Sequence, residues 1–109
     1  MREAKILFKE QEAGVLTQLD NGSFTFRYHD AWMADSYKPG ISLTFPKIKQ
    51  AYYSEFLFPF FYNMLPEGFN KQAICKLNRI DNNDSFGLLM VTASDDSIGA
   101  VRVVKTEKK

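Results

Sequence analysis

Asp20-Asn21-Gly22 sits between two runs that alternate apolar and polar residues, Val15 to Leu19 and Ser23 to Tyr28. Asn-Gly accepts the positive φ angles of a tight hairpin turn. The period-2 alternation on either side sends successive side chains to opposite faces of a strand. The second run puts Phe24, Phe26 and Tyr28 on one face. An isolated hairpin is at best marginally stable in water, so the remaining chain must cover that aromatic face.

The rest of the chain supplies candidates for the cover. Ile6 to Lys9 is a short apolar run, and Glu12-Ala13-Gly14 is expected to turn the chain into the next strand. The N-terminal third therefore reads as an antiparallel meander. Residues 29–40 are irregular, with a helical turn around Ala31 to Ala34 and a turn at Lys38-Pro39-Gly40. Ile41 to Phe45 alternates again and stops at Pro46, and Lys47 to Tyr53 reads as a loop. Phe56, Leu57, Phe60, Phe61, Met64 and Leu65 recur at helical spacing, the pattern of a buried stripe. Pro59 fits a first helical turn, so this helix starts near Phe58 and is ended by Pro66 and Gly68. Asn70 is a cap for a second helix to about Arg79, with Ala73, Ile74 and Leu77 inward. After the loop Asp81-Asn82-Asn83, Asp84 or Ser85 caps a third helix through Phe86, Leu88 and Leu89. Thr92 to Ser97 is polar, and Ile98 to Val104 is a closing strand expected to rejoin the N-terminal sheet. The expected fold is α+β: one domain over 1–109, its antiparallel sheet (N-terminal meander plus C-terminal strand) packed against a small helical layer.

Composition narrows the chemistry. The formal net charge is +1, and no basic stripe of the kind that tracks nucleic acid is present. Lys105, Lys108 and Lys109, interrupted by Glu107, read as a solvated end. Cys75 is alone, so no internal disulfide can form and a reducing, cytoplasmic setting is expected. Met1-Arg2-Glu3-Ala4-Lys5 leads into no apolar run with a cleavage site, and no stretch approaches about 18 uninterrupted apolar residues. No signal peptide and no membrane span are expected. His29 is the single histidine, which excludes a two-histidine metal site and, with one cysteine, suits no structural zinc. A Cys75/His29 nucleophile pair stands against the reading of Cys75 as a small buried hydrophobe, which its place in a predicted helix favours. Asp81-Asn82-Asn83-Asp84 lacks the glycine and distant glutamate of a calcium loop and reads as a turn and cap, as does Asp95-Asp96. The six glycines, at 14, 22, 40, 68, 87 and 99, form no phosphate cradle. No kinase-type lysine strand, catalytic loop or metal-binding Asp-Phe-Gly is present. The chain is expected not to be an enzyme, to use no cofactor or metal, and to act by binding.

Two stretches carry a resemblance: Phe60-Phe61-Tyr62-Asn63-Met64-Leu65-Pro66-Glu67-Gly68, and Asp84-Ser85-Phe86-Gly87-Leu88-Leu89 followed by Asp96-Ser97-Ile98-Gly99-Ala100-Val101. They resemble the N-terminal subdomain of HipA-type serine/threonine kinase toxins, with its Phe-Phe-x-Asn-Leu-Leu-Pro-Glu-Gly segment, Asp-x-Phe-x-Leu-Leu, and Gly-x-Asp-x-x-Gly-Ala. Gly14-x-Leu16, Phe24 to Tyr28 and Ser42-Leu43-x-x-Pro46 agree with the earlier part of that family, and the likeness runs from about Ile6 to Val104. Ser94 stands in place of the glycine of Gly-x-Asp, and Met64 in place of the first leucine. In HipA toxins the kinase core follows this subdomain, whereas this sequence stops. A free-standing copy resembles the HipS-type antitoxins of three-gene HipBST systems. There the HipT kinase lacks the subdomain, and the third member, HipB, is a helix-turn-helix DNA binder.

The resemblance implies an antitoxin that binds and neutralises a HipA/HipT-type kinase in the bacterial cytoplasm, with a HipB-like protein in the same complex. The alternative is a non-inhibitory structural subunit, the N-terminal part of a split HipA-like kinase, that bridges it to a helix-turn-helix repressor. A small-molecule or nucleic-acid module is a third reading, and the balanced charge argues against nucleic acid. The expected contact is the corner Pro66, Glu67, Gly68 and Phe69. Phe69, where relatives often carry Trp, is either a projecting anchor or a hydrophobic staple folded back on the next helix. Glu67 either pairs with a basic kinase residue or is a solvated turn residue. Trp32, the lone tryptophan, is a further candidate contact, against a role as a cap on the core.

Overall fold

The computed structural model describes residues 1–92 and 100–106. Strands β1 (Arg2–Phe8), β2 (Gln11–Gln18), β3 (Phe24–Tyr28), β4 (Ala51–Ser54) and β5 (Val101–Lys105) form one sheet in the order β4-β3-β2-β1-β5. Every neighbouring pair is antiparallel. Among the described residues, four helices accompany them: α1 (Asp30–Ala34), α2 (Pro59–Tyr62), α3 (Gly68–Asn78) and α4 (Ser85–Thr92). The α+β class and the closing strand are as expected, with Ile6 opposite Val103. Ser94, Asp95, Asp96, Ser97, Ile98, Gly99, Glu107, Lys108 and Lys109 lie outside the described residues.

The hairpin around Asn21-Gly22 joins β2 to β3. Leu19 N–H donates to the Ser23 carbonyl at 2.8 Å, Asn21 Oδ1 accepts the Ser23 N–H at 3.0 Å, and Gly22 takes φ +90°. The first turn falls elsewhere than expected. Lys9 and Glu10, both at positive φ, turn the chain, while Ala13 and Gly14 lie buried inside β2. Ile6 pairs with Gly14 and Leu7 with Glu12, so Ala13 is an extra residue, a bulge. Gly14 marks a close approach of strands: a Cβ there would stand 2.3 Å from the Arg27 carbonyl oxygen.

Two further boundaries are corrected. Ile41 to Phe45 is a loop, because Ile41 and Phe45 are buried while Leu43 is almost wholly exposed. The Tyr28 hydroxyl binds both ends of this loop, accepting the Ile41 N–H at 2.9 Å and donating to the Phe45 carbonyl. The sheet's edge strand is instead Ala51–Ser54, inside and just past the segment expected to be loop, with Tyr52 opposite Phe26. Its Ala-Tyr-Tyr-Ser sequence has too little alternation to announce a strand.

The inner face of the sheet carries Ala4, Ile6, Leu16, Phe24, Phe26, Tyr28, Val101 and Val103, all buried. Phe45 fills the centre, with the rings of Phe26, Phe58 and Tyr52 at 4.9, 5.1 and 5.2 Å. The apolar stripe is only partly helical. α2 lasts four residues, then Met64 and Leu65 N–H groups donate to Phe61 and Tyr62 carbonyls in tighter turns. Leu57, Phe58 and Phe61 are buried, and Phe60, Met64 and Leu65 pack against them. Phe56, expected in this stripe, is 77 % exposed. Asp84 caps α4 as expected, its Oδ1 accepting the Gly87 N–H at 3.0 Å.

Candidate functional site

The chain leaves the core at Leu65 and Pro66, both half-buried, and turns through Glu67 into α3. Glu67 is extended, and its side chain caps nothing. Gly68 takes φ +59° with open space around it, so this turn requires glycine for its backbone angle and not for room. Gly68 therefore opens α3 where it was expected to end the preceding helix, and Asn70, expected as the cap, lies inside the first turn.

Phe69 follows in that first turn and is 88 % exposed. A staple would stand outside the helix and bury its ring on it. Phe69 does neither, so its geometry is that of a projecting side chain. Tyr62, Leu65, Pro66, Glu67, Gly68 and Lys71 line a cleft of about 230 Å³ beside it. Tyr62 also walls a second cleft of about 280 Å³, shared with Gln18, Glu55, Phe56 and Asn83. Of the exposed aromatics, Tyr62 thus lines both clefts and Phe56 the second, while Phe69 follows in sequence on Gly68 at the edge of the first.

Trp32 is placed apart from these clefts. It is 4 % exposed, donates from Nε1 to the Pro39 carbonyl at 2.8 Å, and meets Phe8 edge-on at 5.9 Å. Lys38 Nζ lies over its ring at 4.8 Å. These are the contacts of a core cap, and they leave no aromatic face for a partner. Cys75 is buried in α3, and His29 Nε2 is 2.7 Å from Glu12 Oε2.

The structure also reverses part of α3. Leu77, expected inward, is 82 % exposed, and Ala73 is exposed too. Cys75 is the buried residue of this helix, with Ile74 half-buried. Tyr62, Phe56 and Leu77 were absent from the expected contacts. For Tyr62 a signal exists, since it falls off the Phe58–Phe61–Leu65 spacing.

Elsewhere on the surface, Arg2 fixes Asp84 at the start of α4. Its guanidinium holds the Asp84 carboxyl below the usual carboxylate range, against the opposing effect of burial and with help from the Gly87 N–H. The guanidinium also lies 4.9 Å from the centre of the Phe86 ring. Among the described residues, no group of three or more His, Cys, Asp or Glu is placed to hold a metal, and no helix is long and apolar enough to cross a membrane.

Residues 4–104 match the family of HipA N-terminal domains. An uncharacterized protein of Haemophilus influenzae strain Rd is 29 % identical over 103 residues, covering 94 % of this chain and 92 % of that protein. A solved structure of the N-terminal domain of HipA toxin superposes with a TM-score of 0.72 at 28 % identity, covering 100 % of this chain and 96 % of that one.

Proposed function

The chain belongs to the HipA N-terminal domain family, and on that premise we propose that it is a HipS-type antitoxin that binds and neutralises a HipA/HipT-type serine/threonine kinase. The observation that carries this reading is Phe69, 88 % exposed on a corner set by the positive φ of Gly68. Fully burying such a side chain is worth roughly 1.5–3 kcal/mol, and aromatic anchors of this kind dominate many interfaces. Pro66 and Gly68 fix the corner, and Glu67 stands beside the anchor to meet a basic group on the kinase. The chain brings no catalytic group of its own to the complex and does its work in the bacterial cytoplasm. A HipB-like DNA-binding protein completes the assembly, and the chain itself touches no nucleic acid.

Co-expression with a HipT-like kinase tests this. Growth restored by the chain, and lost again with Phe69→Ala or Glu67→Ala, is the expected result. The similarity to a domain that is itself part of a HipA toxin supports a second reading, a non-inhibitory subunit that completes a split kinase and bridges it to a helix-turn-helix repressor. Persistent toxicity with the two chains co-purifying would favour that second role.

A further inference from the structure

We infer that α3 is a docking helix, whose Phe69–Ala73–Leu77 stripe seats in an apolar groove rimmed by carboxylates on the kinase; this rests on the kinase-binding reading above. The three residues stand at i, i+4 and i+8, one face of an α-helix. Phe69 and Leu77 are 88 % and 82 % exposed. The opposite face is thinly held, by buried Cys75 and half-buried Ile74. An 11-residue helix lies below the length that is stable alone in water, and no side chain caps its start. A partner covering the stripe would supply the missing burial.

Charge selects the partner's rim. The helix and the residue that ends it carry Lys71, Lys76 and Arg79, with no carboxylate from Gly68 to Ile80. The whole chain carries a net charge of only +1, so this is a local excess. Among the described residues, none of the three takes part in an ion pair. Lys76 and Arg79 are exposed, and by helical spacing Lys76 flanks the Phe69–Ala73 side of the stripe. A groove with acidic edges complements this face, in the manner of an amphipathic helix laid into a groove. A second copy of the chain would set like charges against each other.

The test is the affinity of the full chain for a HipT-like kinase, measured for the wild type, Leu77→Ala and Lys76→Glu at two salt concentrations. Both substituted side chains are exposed, so melting temperatures should match the wild type. Leu77→Ala should weaken binding by roughly tenfold. Lys76→Glu should weaken it by about three- to tenfold and flatten its salt dependence. Wild-type affinity in both variants, with binding still lost in Phe69→Ala, overturns the docking helix and leaves the corner standing. No binding by the wild type overturns the kinase-binding reading itself, and this inference with it. Sedimentation showing a dimer that Leu77→Ala dissolves, or wild-type binding to anionic phospholipid vesicles that Lys76→Glu abolishes, would assign the stripe to another occupant and overturn the proposal equally.

Discussion

Arg2 grips Asp84 with two hydrogen bonds, 3.1 Å from Nη1 to Oδ2 and 2.6 Å from Nη2 to Oδ1, although 82 positions separate the two residues. The same carboxylate accepts the Gly87 N–H. One side chain thus ties the start of β1 to the start of α4. Asp84→Ala removes both the cap and the ion pair and should lower stability by roughly 1–3 kcal/mol in urea unfolding. Asp84→Ser, which keeps a capping oxygen, should lose less. Equal losses in the two variants would mean that the cap contributes little.

The pair also sets an acid response. Hydrogen bonds from Arg2 hold the Asp84 carboxyl below its ordinary value of 3.8, so its contribution is present above that value and fades as pH falls through the lower folded one. Asp20 is lowered in the same sense by the N-terminal ammonium, but it is fully exposed and salt should screen it. Thermal melts from neutrality down to about pH 2 should show a shallower acid limb for Asp84→Asn than for the wild type, a difference that persists at high salt.

Tyr28→Phe should cost roughly 1–3 kcal/mol, because it orphans the Ile41 N–H and the Phe45 carbonyl in the interior. Burial raises the Tyr28 hydroxyl above the ordinary 10.0. Its contribution is therefore complete below pH 10.0 and is lost as pH climbs through the folded value. Tyr52 is raised as well, also by burial. Alkaline denaturation of the variant should be gentler than that of the wild type but not abolished.

Two glycines should separate space from backbone angle. Gly14→Ala drives a Cβ to within 2.3 Å of the Arg27 carbonyl oxygen, and rigid backbone must move, at roughly 1–3 kcal/mol. Gly22→Ala meets no atom but keeps φ +90°, a strain of about 1–2 kcal/mol. Adding a β-carbon should therefore shift the β2–β3 amide resonances around position 14 and leave the sheet spectrum unchanged for position 22.

Phe69→Ala should leave the melting temperature almost where it was, within about 0.5 kcal/mol of stability, as exposed positions do. A clear loss of stability would show that the ring is packed in solution and would return it to the staple.

The sheet could be read from the sequence wherever alternation faced a buried layer, as in Phe24–Tyr28, or where turn chemistry was local, as at Asn21-Gly22. Asp84 could be read as a cap because capping is also local. Gly14 misled, since glycine serves a turn and a close strand approach alike, and only the partner strand's carbonyl distinguishes them. Ala51–Ser54 was hidden because an edge strand needs little hydrophobic pattern. Ile41–Phe45 imitated a strand through spacing that in fact serves the Tyr28 hydroxyl. Pro66 to Phe69 can be read as a corner, but helical spacing places Leu77 inward where the structure exposes it. Helical periodicity identifies an apolar face without saying whether the chain itself provides its cover.

Strand β1 leaves the ribosome long before β5, yet they are hydrogen-bonded neighbours. During synthesis β2 and β3 can form their hairpin early, while the far side of β1 stays open until Val101–Lys105 emerges. For that interval Ile6 and Phe8 border an unpaired edge, a template for the wrong strand. A newborn chain of this kind is most exposed to misassembly until β5 emerges, and β5 is the strand that covers the open side of β1.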